Sequence, residues 1–222
     1  MNRRSLLLSG GAVALVGGAA WLSLSGREAS PLLVGMAEAQ EATGDASSVQ
    51  DMVLGDADAP VTMIEYASFT CPHCQAFHET VFPQLKADYI DTGKVRFVYR
   101  EVYFDRPGLW ASMIARCGGE MRFFGITSMI YERQREWAAS GDPAAIVEEL
   151  RKIAKTAGLD DAALDACMSD GETAQSLVSW YEENRVADDI QGTPSFVIDG
   201  TKYSNMSYDE MKGILDEAIG ES

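Results

Sequence analysis

The sequence predicts an α/β fold in two unequal halves, one βαβ and one ββα, separated by an all-helical insertion. Three observations carry that prediction. Two short runs rich in strand formers, Val61-Thr62-Met63-Ile64-Glu65-Tyr66 and Lys94-Val95-Arg96-Phe97-Val98-Tyr99, enclose a stretch in which Phe77, Val81, Leu85 and Tyr89 recur at helical spacing. Asp199-Gly200, the strongest hairpin signal in the chain, stands between Ser195-Phe196-Val197-Ile198 and Thr201-Lys202-Tyr203. Between the halves, a helical pattern without strand character runs from about Gly108 to Asp188, placing the insertion at about 107–188.

Each element has a local reason. Ala59-Pro60 bounds the first strand, and Asp91-Thr92-Gly93 ends the helix expected over Gln75 to Ile90. Strand, helix and strand in that order imply parallel pairing with a right-handed crossover. Inside the insertion, Asp142-Pro143 is a helix start and Gly158 a helix stop. A last amphipathic helix is expected over Tyr208 to Ile219, with Met211, Ile214, Leu215 and Ala218 on one face. Trp110, Met113, Phe123, Phe124, Trp137 and Trp180 read as core or groove-lining residues, and Glu182-Glu183 and Asp188-Asp189 as solvated helix faces.

The 222 residues, 46% of them hydrophobic, suffice for one good core. Residues 1–26 differ from the rest: two arginines precede an uncharged run from Leu6 to Leu24, the form of an export signal. Asn2-Arg3-Arg4-Ser5-Leu6-Leu7 resembles a twin-arginine signal, and the Sec route shares this layout. The apolar run is nearly long enough to cross a bilayer of about 30 Å, so an uncleaved inner-membrane anchor stands beside cleavage at Ala37-Glu38-Ala39. Residues 27–48 are small and polar and read as a linker, leaving 49–222 as the folded domain.

Without residues 1–26 the chain holds 16 basic against 34 acidic residues, a net charge of −18. Such an acidic body argues against nucleic acid or an anionic membrane surface as partner. All four cysteines, Cys71, Cys74, Cys117 and Cys167, lie in the exported portion, where disulfides persist.

The chemistry is concentrated in FTCPHCQAFH, Phe69 to His78, which holds both histidines of the chain. Covalent haem attachment needs histidine directly after the second cysteine, and that residue is Gln75. A structural zinc needs four ligands, which Cys71, His73, Cys74 and His78 supply only if the helix start bends; a copper or zinc module on Cys71, His73 and Cys74 is the reading from another class. An inert disulfide in so short a ring constrains little chain. A redox centre uses the position best. Cys71 falls at a helix start, where free N–H groups and the dipole favour thiolate, with Pro72 as the first helical residue. His73 adds a second favourable interaction, and Cys74 sits one turn inward and shielded. Cys71 is then the sulfur that attacks and is attacked, and Cys74 the one that resolves the mixed disulfide. Helix-start CxxC cysteines span pKa values from about 7 to about 3.5. His73 points to the low end, which makes the disulfide form the stronger oxidant. His78 is given no role beyond the helix surface.

Joined to Gly192-Thr193-Pro194-Ser195-Phe196 far downstream, Cys71-Pro72-His73-Cys74 resembles the DsbA-like family of thioredoxin-fold thiol:disulfide oxidoreductases, over about residues 50–220. The resemblance implies a thioredoxin fold with a mixed central sheet. It implies that Pro194 is a cis-proline packed against the active disulfide, with Thr193 presenting its backbone to the substrate chain. It places an acidic residue, Glu65, beneath the active site, there to take and return the proton of Cys74; the alternative is a strand residue reaching solvent at the sheet edge. Several family members carry a second disulfide in the insertion, which would join Cys117 to Cys167 and contribute about 4 kcal/mol; two free buried thiols are the alternative. No organic cofactor is implied, because the Cys71-Cys74 disulfide is the reagent. The partners implied are periplasmic proteins with reduced cysteines and a quinone-linked membrane protein that reoxidises the enzyme, itself expected to be a monomer. An isomerase or reductase of the same fold is the neighbouring reading.

Overall fold

The structure, a computed structural model, describes residues 44–220. The expected export signal or anchor at 1–26 and most of the linker lie outside the described residues. Among those described, no helix is long and apolar enough to cross a membrane.

Five strands form one mixed sheet in the order β1-β3-β2-β4-β5: β1 Met52–Leu54, β2 Val61–Ala67, β3 Val95–Glu101, β4 Ser195–Ile198 and β5 Thr201–Ser204. β2 and β3 pair in parallel from Val61↔Val95 to Ala67↔Glu101, β4 lies antiparallel on the other side of β2, and β5 closes the hairpin. The two halves are therefore one sheet, with β2 at its centre. Central position explains why β2 is buried on both faces. With a period of two, Val61, Met63, Glu65 and Ala67 share one face, and Val61, Met63 and Ala67 join the main core there; Ile64 and Tyr66 meet Val102, Tyr181, Ile190 and Val197 on the other.

Strand β1 was not visible in the sequence, because three residues are too short to show a period. It pairs antiparallel with β3 and forms an edge. Gly55, just after it, has φ +94°, and a Cβ there would lie 2.5 Å from the Val95 carbonyl oxygen, so glycine is required.

The helix opens at Pro72 as expected, but the stretch to Ile90 is three pieces. Helix α1 spans Pro72–Thr80, α2 spans Phe82–Leu85, and a wider π turn covers Lys86–Ile90. Pro83 lacks the N–H that would continue α1, so the chain restarts after Val81 and still buries Phe77, Leu85 and Tyr89.

The insertion comprises α3 Arg106–Cys117, α4 Glu120–Glu132, α5 Gln134–Trp137, α6 Pro143–Thr156, α7 Asp161–Ser169 and α8 Gly171–Ala187. Part of the acidic composition is spent on its helix starts: Asp105, Asp142, Asp160 and Asp170 each accept a backbone N–H of the following first turn. Cys117 and Cys167 are joined as a disulfide, tying the end of α3 to α7. Phe123 and Trp137 are core residues, and the guanidinium groups of Arg100 and Arg116 lie over the Trp180 ring at 5.9 and 5.3 Å.

Asp199 and Gly200 have φ +44° and +82°, the two left-handed positions that the tight hairpin needs. Helix α9, Tyr208–Ile219, starts in a capping box of Ser207 and Glu210. It buries Met211 and Leu215, but Ala218 is exposed and Ile219 is half-buried in its stead. A second correction concerns Asp188. It is not merely solvated, because its carboxylate accepts from the Tyr66 hydroxyl and pairs with Arg100.

Candidate active site

Strand β2 ends at Ala67, and the loop Ser68–Thr70 turns the chain into α1. Cys71 is the residue that caps α1, in extended backbone, with Pro72 next; no side chain caps the free N–H groups. The loop is strapped from the insertion by Gln134, a buried side chain on α5 whose Nε2 donates to the carbonyls of Phe69 (2.7 Å) and Cys71 (3.0 Å). A second amide, Gln75, ties α1 to α4 through the Tyr131 carbonyl at 3.1 Å.

Both CxxC cysteines are free thiols: Cys71 is half-buried and Cys74 fully buried. Their ionisation is driven apart. A hydrogen bond from Cys74 is the largest influence on Cys71; the Thr193 side chain and the backbone N–H groups of Cys74 and His73 add to it, and against the opposing effect of burial they lower its pKa to about 5. Burial pushes the Cys74 thiol far up, and its hydrogen bond to Cys71 and the charge of Glu65 push the same way. His73 itself is exposed, and its favourable part comes through its backbone N–H rather than its imidazole.

Across from the thiols, the Thr193-Pro194 peptide bond is cis and Pro194 is buried. The Cys71 Sγ lies 3.4 Å from the Thr193 carbonyl oxygen. That loop is braced at both ends. Asp188 is held by Tyr66 and Arg100; Asp189, at φ +52°, receives Lys202 Nζ on its carbonyl at 2.7 Å; the Ser195 hydroxyl donates to the Gly192 carbonyl at 2.7 Å.

Beneath the cysteines, Glu65 is completely buried, so its side chain does not reach solvent at a sheet edge. His78 Nε2 lies 2.9 and 3.1 Å from its two carboxylate oxygens. This overturns the surface assignment of His78, whose side chain is 5% exposed. Its ring stacks on Tyr131 at 4.4 Å and 19°, with Phe82, Phe77 and Tyr99 around it. The Tyr99 and Tyr131 hydroxyls meet at 2.7 Å; burial first, and the Glu65 charge among the other causes, hold both phenols well above their ordinary range. A sequence signal existed: Cys74 and His78 are four residues apart and so share one helix face. Gln134 gave no comparable signal, since its role depends on where the insertion lands.

Among the described residues, no group of three or more histidine, cysteine, aspartate or glutamate side chains is placed to hold a metal ion, the set Cys71, His73 and Cys74 included.

The family model described as thioredoxin matches residues 47–217. The chain belongs to the thioredoxin family. A relative from Rickettsia bellii, named provisionally as a protein-disulfide oxidoreductase, is 36% identical over 173 residues, covering 78% of this chain and 66% of its own length. A Rickettsia felis relative is covered over 61% of its length, so the chain spans a little under two thirds of these relatives. The disulfide bond formation protein D of Bacillus subtilis is 27% identical over 80% of this chain and 81% of its own. Among solved structures, Wolbachia pipientis alpha-DsbA1 superposes with a TM-score of 0.71 at 28% identity, covering 78% of this chain and 92% of that one. Oxidised BdbD from Bacillus subtilis gives 0.68 at 25% identity, over 77% and 93%. The helices between the two halves of the sheet are thus an insertion in a thioredoxin fold of DsbA-like type.

Proposed function

We propose that this protein is an exported thiol:disulfide oxidoreductase that donates the Cys71-Cys74 disulfide to cysteines of other exported proteins. The observation that carries this reading is the contrast between the two thiols, one half-exposed with its pKa lowered to about 5, the other fully buried with its pKa raised. Stabilising a thiolate on the reduced form makes the disulfide form a strong oxidant.

In the proposed cycle a substrate thiolate attacks Cys71 Sγ, breaking the Cys71–Cys74 bond, and Cys74 leaves and takes a proton. A second substrate thiolate attacks the substrate sulfur of the mixed disulfide and releases Cys71 as its favoured thiolate. Two substrate thiols have become a disulfide and the enzyme has gained the two electrons. A membrane-bound quinone-linked partner removes them by the reverse sequence: Cys71 attacks the partner's disulfide, and Cys74, deprotonated, attacks Cys71. In this reading Pro72 fixes the helix start and Thr193 presents its backbone to the substrate chain. Pro194 contributes no N–H beside the site, so a substrate strand can pair there. Glu65 takes and returns the Cys74 proton, and the Cys117–Cys167 bridge is structural. Residues 1–26 serve export to the periplasm, as a cleaved signal or a retained anchor.

The reduction potential tests the direction. Equilibration of the full chain with glutathione is expected to give a value well above about −200 mV, with catalysed oxidation of a reduced dithiol peptide; a value near −270 mV would make the protein a reductant.

A further inference from the structure

Glu65 and Cys74, between which the proposed cycle passes a proton, are both fully buried, so that proton needs a route to and from Glu65. The geometry points to His78 as a positioning residue that completes this exchange: it receives the proton of Glu65 across their shared hydrogen bond and returns it on the reverse step. The inference rests on the oxidoreductase reading of Cys71 and Cys74.

Four observations support it. Both hydrogen-bond contacts described for the Glu65 carboxylate are with one atom, His78 Nε2, at 2.9 and 3.1 Å. The imidazole cannot turn away, because Tyr131 covers one face at 4.4 Å while Phe82, Phe77 and Tyr99 enclose its other sides. Of the pair, only His78 reaches the surface, with 5% of its side chain exposed against 0% for Glu65. Finally, Cys74 feels the Glu65 charge directly.

The proton balance is simple. When Cys74 is released as thiol, Glu65 has given up a proton; when Cys74 attacks, Glu65 has taken one. Protonated Glu65 beside neutral His78, and carboxylate beside imidazolium, differ only by the position of one proton along the Oε···Nε2 bond. Both arrangements are neutral as a pair, so the shift from Glu65 to His78 adds no net charge to the core; when Cys74 takes the proton, the pair keeps the single negative charge that the Cys74 thiolate gives up. The groups facing the pair are Cys74 on α1, Tyr99 on β3 and Tyr131 on α4, and both phenols are held protonated by burial. An imidazole nitrogen can either carry a proton or accept one, which an amide nitrogen cannot.

The test separates the two thiol steps. Fully reduced full-length protein is mixed with oxidised glutathione across pH 5.5 to 8. Attack by Cys71, isolated in C74S, forms the mixed disulfide; attack by Cys74 then releases the second glutathione, and mass analysis of acid-quenched samples follows both. H78Q keeps a donor toward Glu65 but cannot hold an extra proton. It is expected to leave the first step unchanged, to slow the second by roughly tenfold or more, and to flatten its pH profile. E65Q should slow the same step, and E65Q/H78Q should be no slower than E65Q alone. Thiolate absorbance of Cys71 and a urea melt report whether each variant keeps its fold. An H78Q protein with wild-type rates and pH profile in the second step would overturn the inference while leaving the oxidoreductase reading intact. A wild-type protein whose Cys71 fails to react with oxidised glutathione would overturn the reading beneath it.

Discussion

The lowered pKa of Cys71 makes the stability of the reduced protein depend on pH in a direction that can be worked out. The thiol falls from an ordinary 9.0 to about 5. A shift of that size is worth about 5 kcal/mol at 1.36 kcal/mol per unit. Cys71 is half-exposed, so solvent screening takes a large share, and about 2–3 kcal/mol is the working value. A depressed folded-state pKa stabilises the fold fully above the unfolded value, and that stability is lost as pH falls through the folded one. The window is therefore pH 9 down to about 5, with about half of the effect present at neutrality.

Urea melts of fully reduced wild type and fully reduced C71S isolate the effect, because every other titrating group is common to both. The stability of wild type minus that of C71S is expected to rise by about 2–3 kcal/mol between pH 5 and pH 9. Thiolate absorbance of the reduced protein should titrate with a midpoint near 5. A difference that stays level across this range, together with a midpoint near the ordinary 9.0, would refute the argument that the helix start and the Cys74 hydrogen bond hold a thiolate at Cys71.

Three further outcomes follow from the packing. C117A/C167A opens a loop with a sequence separation of 50; it should lose about 4 kcal/mol in a urea melt of the oxidised protein while keeping its CxxC potential. Q134A leaves the Phe69 and Cys71 carbonyls without their donor and should cost about 1–3 kcal/mol, with faster alkylation of Cys71 as the loop loosens. G55A must accommodate both φ +94° and a Cβ 2.5 Å from a carbonyl oxygen, whereas Gly93, at φ +74°, faces open space; thermal melts should place G55A well below G93A.

What could be read from the sequence was whatever a short-range period or a special residue announces. β2 and β3 show strand composition, Asp199-Gly200 names its turn, and Asp142-Pro143 names a helix start. The strand-to-helix junction at Cys71 was legible for the same reason, since strand character stops at Tyr66 and Pro72 can only open a helix. Features set by tertiary contact were not legible. Strand β1 has three residues and exists because β3 offers an edge. The break at Val81 was hidden because Phe77, Leu85 and Tyr89 keep a helical rhythm across it. Gln134 and Asp188 look like ordinary polar surface residues until α5 and α8 bring them to the active-site loop and to Arg100. His78 reads as a surface residue because nothing local announces a cover over that side of α1, where α4 brings Tyr131.

The buried pair under the cysteines also decides whether this site is built for stability or for chemistry. Removing one member strands the other: E65L leaves the His78 Nε2 without its carboxylate and should cost about 3–5 kcal/mol. Replacing both, as E65M/H78L, removes two desolvated polar groups from an aromatic pocket, and such exchanges are often neutral or stabilising by about 1–4 kcal/mol. If the pair served only the fold, the double variant would be as disabling as the single one. We expect instead that E65M/H78L melts at or above wild type in urea while its Cys74 step is slowed as in E65Q. Strand parity makes the pair unavoidable once residue 65 is acidic, since one position either way along β2 points to the opposite face, toward Tyr181 and Val197. A carboxylate on this face meets the helix face that carries Cys74 and His78 four residues apart, and the strand and helix periods coincide at Cys74. A double variant less stable than either single one would show that the pair is held for packing, and would remove the reason to assign it a share in the thiol chemistry.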